Sequence, residues 1–110
     1  MAETKDYMRR DMENGTVNVS EEVIVTIALA AIHDVDGVVS IKNDRKSVRV
    51  SLGEDEIELD CGIVVLYGHS VVEIAKNVQN AVTNAVESMT GFKVSRVDVN
   101  VTGIAMAKQG

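Results

Sequence analysis

The chain has 110 residues, 45% of them apolar, which fits one domain with a modest core. Its net charge is −6, from 17 acidic and 11 basic side chains, and such a surface repels phosphate backbones and anionic headgroups. That argues against nucleic acid or bare membrane as the main partner. The single cysteine, Cys61, has no internal disulfide partner and suits a reducing cytosol.

Residues 1–14, "MAETKDYMRRDMEN", are charged and lack periodicity, and are expected to form a flexible segment ahead of a domain over 15–104, with a short tail at 105–110. They contain no apolar stretch of the kind a secretory signal needs. "GTVNV" (Gly15–Val19) reads as a short opening strand. Ser20 then has the chemistry of an N-cap, with Glu21 and Glu22 where the helix dipole favours acids. Ile24, Ile27, Ala28, Ala31, Ile32 and Val35 recur at helical spacing, and Val23, Val25, Leu29 and Ala30 widen the stripe. This first helix is expected to be buried on more than one side. It stops near His33–Asp34, with Gly37 free to take a left-handed turn. The apolar run Val23–Ile32 is about half the ~20 residues a membrane span requires, so direct insertion is not expected.

"VVSI" (Val38–Ile41) reads as a strand and "KNDRK" (Lys42–Lys46) as a polar connection. Val48, Val50 and Leu52 alternate with polar residues; past Gly53, Ile57, Leu59, Cys61, Ile63, Val65 and Tyr67 share one face and Glu56, Glu58 and Asp60 the other. The two runs make a hairpin. With Gly53 leading a type II′ turn, Val50 pairs with Ile57, Val48 with Leu59 and Arg49 with Glu58. A slip of two residues, turning on Glu54–Asp55, keeps the same faces and sets Arg49 against Asp60. The first register is preferred, because the leading position of that turn suits glycine.

The second helix opens with a capping box, Ser70 to Glu73, and ends at Gly91. Val71, Ile74, Ala75, Val78, Val82, Ala85, Val86 and Met89 form its apolar stripe. Glu73, Lys76, Asn77, Asn80, Thr83, Asn84 and Glu87 face away. The last strand, "FKVSRVDVNVTGI", turns Val97, Val99 and Val101 inward and Arg96, Asp98 and Asn100 outward. The order strand–helix–strand–hairpin–helix–strand predicts an α+β two-layer sandwich, a four- to five-stranded mixed sheet with two helices on one face. Val64 and Leu66 point to the uncovered face.

Chemical motifs are sparse. Glu56, Glu58 and Asp60 share a strand face roughly 6–7 Å apart, but lack EF-hand spacing and read as a solvated surface. His33 and His69 come without H-E-x-x-H or Cys-x-x-Cys spacing, so no metal site is expected. Cys61 reads as a small buried hydrophobe, with no motif supplying an activating base. Phosphate-cradling glycine motifs and the G-x-S-x-G elbow are missing, and no cofactor or independent enzymatic activity is expected. Lys42, Arg45, Lys46 and Arg49 form the one basic cluster, beside the hairpin's acids. A KH-like RNA reading lacks its GXXG clamp, and an RRM-like one its sheet aromatics.

"GTVNVSEEVIVTIALAAIHDVDGVVSI" and "DCGIVVLYGHSVVEIAKNVQNAVTNAVESMTGFKVSRVDVNVTGI" resemble the alkaline shock protein family, the envelope stress response proteins of Gram-positive bacteria. The most specific pieces are Tyr67–Gly68, Glu73–Val82, Glu87–Gly91 and Val97–Ile104. The resemblance implies a small, soluble, non-enzymatic protein of cell-envelope homeostasis that acts as a scaffold or adaptor. In some members an integral-membrane partner holds it at the cytoplasmic face, and some form higher assemblies. Others are associated with a dihydroxyacetone-kinase-like fatty acid kinase, so a regulatory role toward that lipid-pathway enzyme is the alternative. Two departures stand out: Asp36 and Val71–Val72 occupy places where many members carry proline. The candidate partner contacts are Asn77, Asn80, Thr83 and Asn84 on the second helix and Val64 and Leu66 on the sheet. Uncharged amides desolvate far more cheaply than charges.

Overall fold

A computed structural model describes residues 7–39 and 47–106. It opens with an antiparallel hairpin, β1 (Tyr7–Met12) and β2 (Gly15–Ser20), in the register Met8↔Val19, Arg10↔Val17, Met12↔Gly15. The strand β1 replaces the flexible segment expected over residues 7–12. Its polarity hides it: of its side chains only Met8 enters the core, at 1% exposure. Arg10 stands where alternation calls for an apolar residue. It does an apolar residue's work, stacking 4.8 Å from the centre of the Phe92 ring while Nη2 donates to the Gly91 carbonyl at 2.8 Å.

The first helix, α1 (Glu21–His33), starts where its cap chemistry places it, with Ser20 Oγ accepting from the Val23 N–H at 3.3 Å. Ile24, Ile27, Ala28 and Ile32 are buried, whereas Val23 is 47% exposed and Ala30 is also at the surface. Val25, Leu29 and Ala31 are half-buried against the same core, so α1 is covered over a broad arc by α2, β3 and β2, and the side of Val23 and Ala30 alone stays open. Gly37 follows at φ +93°. Of the strand expected at Val38–Ile41, Val38 bridges Val65 and the Val39 N–H donates to the Val64 carbonyl at 2.8 Å; Ser40 and Ile41 lie outside the described residues.

Strands β3 (Val48–Leu52) and β4 (Glu56–Leu66) pair antiparallel with Val48 opposite Cys61, Arg49 opposite Asp60 and Leu52 opposite Ile57. This is the slipped register, turning on Glu54–Asp55, and it corrects the preferred pairing of Val48 with Leu59. The reason is apolar matching: the preferred turn sets Leu52 against Asp55, whereas here Leu52 and Ile57 meet, 1% and 0% exposed. On β4, Ile57, Leu59, Cys61, Ile63 and Val65 all face the core. Tyr67 falls past the strand's end and is 64% exposed, not inward as its parity suggested.

The second helix, α2 (Val71–Thr90), is capped by Ser70 Oγ, which accepts from the Glu73 N–H, and by Gly91 in the left-handed conformation at φ 77°. Ile74, Val78, Val82 and Val86 are buried. Val71 and Met89, expected in the stripe, lie at the two ends of the helix and are exposed. Strand β5 (Lys93–Ala105) runs parallel to β4, with register shifts that leave Ser95 and Thr102 as bulges. The hydroxyls fill the gaps in the ladder: Ser95 Oγ donates to the Ile57 carbonyl at 3.5 Å and Thr102 Oγ1 to the Ile63 carbonyl at 3.2 Å. The Ser95 bulge also lets Val94 and Val97, an odd spacing apart, both face inward. Ala105, placed in the tail by sequence, is the last residue of β5.

The fold is α+β. The five strands among the described residues divide into a three-stranded sheet, β3–β4–β5, and the separate β1–β2 ribbon. Both helices pack on the sheet face that carries Leu59 and Ile63, and one apolar core runs from Met8 to Val94.

Candidate interaction surfaces

The six contact residues expected from sequence fall on two surfaces. Asn77, Asn80 and Asn84 are exposed on α2 and Thr83 is half-buried beside them. They stand on the side away from Ile74, Val78 and Val82, so the amides point into solvent, above the helical layer. Val64 and Leu66 are half-buried on β4 and belong to the opposite face of the sheet, since their neighbours Ile63 and Val65 enter the core. The structure therefore separates the two groups by the thickness of the sandwich, and a single small contact cannot use both.

The uncovered sheet face is divided along its length. At one end, Val64 lies over Gly103, whose Cβ position is 3.7 Å from Val64 Cγ2, with Leu66 beyond. At the other end stand Glu56, Glu58 and Asp60, with Asp98 directly beside Asp60 on β5. These acids are partly matched: Arg96 Nε meets Asp98 at 3.1 Å, Asn100 Nδ2 donates to Asp60 Oδ1, and Arg49 is the cross-strand partner of Asp60. Lys42, Arg45 and Lys46 lie outside the described residues. Among the described residues, no group of His, Cys, Asp and Glu is gathered closely enough to hold a metal ion.

Cys61 is fully buried beneath this acidic end. Burial first, and then the charges of Asp60 and Asp98, push its thiol up to about 12. A thiol held that far from ionisation is no nucleophile at neutral pH. His33 closes α1 and His69 precedes α2; His69 packs near Gly37, where a Cβ would come 3.4 Å from its Cγ. No helix among the described residues is long and apolar enough to cross a membrane.

Two α2 residues matter here that sequence reasoning passed over. Gln79 Nε2 donates to the Val97 carbonyl at 3.1 Å, and Glu87 Oε2 accepts from the Val94 N–H at 2.9 Å. Both tie α2 to β5. Periodicity alone marks them only as polar residues off the apolar stripe; their role depends on β5 being the outer strand of its sheet, which sequence does not reveal.

Comparison with known proteins gives the chain its family. The uncharacterized protein YqhY of Bacillus subtilis (strain 168) is 30% identical over 108 residues, covering 86% of this chain and 80% of its own. YloU, an uncharacterized protein of the same strain, is 29% identical over 106 residues, covering 82% of this chain and 88% of its own. Two MamM-CTD variants share the fold at TM-scores of 0.58 and 0.59, with 19% and 20% identity over 80% and 82% of this chain and 95% and 98% of theirs. A family model matches residues 9–106, from within β1 to just past the end of β5. With nearly the whole described fold inside that match, the chain belongs to the alkaline shock protein 23 family, a family of cell envelope-related function.

Proposed function

We propose that this protein is a non-enzymatic scaffold or adaptor of the cell envelope, capturing a protein partner on the outer face of α2. The supporting observation is the exposed amide row Asn77, Asn80 and Asn84. Amides offer both donors and acceptors to a partner and lose water at far lower cost than carboxylates or ammonium groups. Gln79 and Glu87 on α2 are engaged with β5, whereas the amides make no bond to another element among the described residues and are open to an outside contact. With no spanning helix among the described residues, a position at the cytoplasmic face of the membrane comes, in this reading, from an integral-membrane partner.

Asn80→Arg and Asn84→Arg test the surface. Both positions are exposed, and arginine is a good helix former, so the fold persists and melting temperature holds. Partner capture from cells expressing either variant should be lost. Capture at the wild-type level would remove this face from the account.

A further inference from the structure

The backbone alternation of the three-stranded sheet follows from one hydrogen bond. The Gly53 N–H donates to the Glu56 carbonyl at 2.9 Å, which makes 53 and 56 a hydrogen-bonded pair. Pairs two residues further along, Ser51 with Glu58 and Arg49 with Asp60, are then of the same kind. Even-numbered residues of β4 thus direct their N–H and C=O groups at β3, and odd-numbered ones at β5. Further along the same edge, the Leu66 N–H donates to the Gly37 carbonyl and the Val64 carbonyl accepts from Val39, in the same phase.

That phase fixes β5 in turn. Leu59 stands opposite Val97 and Cys61 opposite Val99, so Arg96, Asp98 and Asn100 bond toward β4 while Val97, Val99 and Val101 direct their N–H and C=O groups away from it. The two side-chain bonds from α2 agree: Glu87 accepts from the outward N–H of Val94, and Gln79 donates to the outward carbonyl of Val97. These contacts blunt the first part of the edge. Beyond Gln79 the protection stops. Among the described residues, no strand pairs with the outer side of β5, and the outward groups of Val99 and Val101 meet no hydrogen-bond partner. The open stretch lies between the bulges at Ser95 and Thr102, so it is regular strand.

Two further observations mark this border as unfinished. The inward valines of β5, Val97, Val99 and Val101, are only half-buried, whereas the inward residues of β4 from Ile57 to Val65 are at most 2% exposed. And Val72, seven residues before Gln79 on the same flank of α2, is 65% exposed. An unpaired strand edge is a template for another strand.

We propose that this edge pairs with the same edge of a second copy, antiparallel, about a twofold axis at Val99. The sequence is self-complementary in that register. Val99 meets Val99 of the other copy, Val97 meets Val101, and Asp98 meets Asn100, so β-branched pairs form on the inner face and a carboxylate faces an amide on the outer. The outward valines fall on hydrogen-bonded pairs, giving about six backbone bonds across the axis. The Val97 carbonyl, with two lone pairs, keeps Gln79 as well. A shift of the axis to Asp98 sets two carboxylates against each other at the close, non-bonded spacing. A shift to Val97 sets the irregular Ser95 opposite Val99. The result is a continuous sheet of six strands with the two α2 flanks, Val72 included, facing each other.

The test is sedimentation of the full chain across a dilution series, with register read by cysteine cross-linking. Wild type is expected to dissociate from dimer to monomer on dilution. Val99→Pro, which removes an outward N–H that no internal bond uses, is expected to be monomeric throughout. Under diamide, Val99→Cys chains are expected to cross-link to one another, and Val97→Cys only to Val101→Cys when the two are mixed; Asp98→Cys chains and wild type, with only the buried Cys61, are not. A monomer at every concentration overturns the proposal, and so does a dimer in which Val99→Cys fails to cross-link. The cross-linking outcome stands even if Val99→Pro does not fold. Neither result bears on partner capture, because Asn80 and Asn84 turn away from the Gln79 flank.

Discussion

Gly37 and Ile74 fit together with no room for a methyl group between them. A Cβ on Gly37 would stand 2.6 Å from Ile74 Cδ1, and the residue holds φ at +93°. The turn that leaves α1 is thereby seated against the first buried residue of α2. Glycine is required on both counts. Gly37→Ala should cost about 2–3 kcal/mol in a denaturant titration, more than the ~1 kcal/mol of an ordinary strained turn. Adding Ile74→Val should recover part of that loss, because it removes the overlapping δ-methyl but leaves the dihedral strain.

Arg10 fastens the β1–β2 ribbon to the body through Phe92 and Gly91. A two-stranded ribbon is marginal alone. Arg10→Ala should lower stability by about 1 kcal/mol. Limited proteolysis should show faster cleavage between β1 and β2, with the products from α1 onward unchanged. Arg10→Lys keeps the charge but loses the planar stack, and should fall between the two.

Cys61 gives the fold a component of alkaline sensitivity. Its thiol lies near 12 in the folded chain against 9.0 for an ordinary one, because burial and then Asp60 and Asp98 oppose the thiolate. Above pH 9 the unfolded chain gives up this proton and the folded chain keeps it, so the unfolded state binds fewer protons and stability falls as pH rises, until the folded thiol also ionises. The slope from this group approaches ~1.4 kcal/mol per pH unit between those two values. Cys61→Val should lose that share of the slope, read as the difference between the two proteins' denaturation curves above pH 9. The native thiol should also resist a thiol reagent at neutral pH and react only on global unfolding.

The parts of the fold that sequence makes legible are those where several local signals agree. For α2, the Ser70 cap, the spacing of Ile74, Val78, Val82 and Val86, and the left-handed Gly91 all name the same element. For β4, strict alternation from Ile57 to Val65 assigns the faces residue by residue. Where sequence misleads, a physical cause is visible. Arg10 fills an apolar position by stacking, so β1 shows no alternation. The hairpin's two registers bury the same side chains, and only the partner of Leu52 tells them apart. The candidate contacts are legible only as residues off an apolar stripe. Which strand is left at the edge of the sheet, and hence what Gln79 and Glu87 do, is set by the order in which strands meet in space.

The central claim is that this protein acts by holding another protein at the cell envelope, and in-cell capture tests it most directly. Tagged protein is cross-linked in its own cells, recovered with and without nuclease, and its companions are identified by mass spectrometry. The account predicts a nuclease-resistant protein companion, an integral-membrane protein above all, that is missing from Asn80→Arg captures. A lipid-pathway kinase in its place would assign the adaptor to that enzyme. Companions lost altogether on nuclease treatment would contradict the account and return the fold to RNA binding.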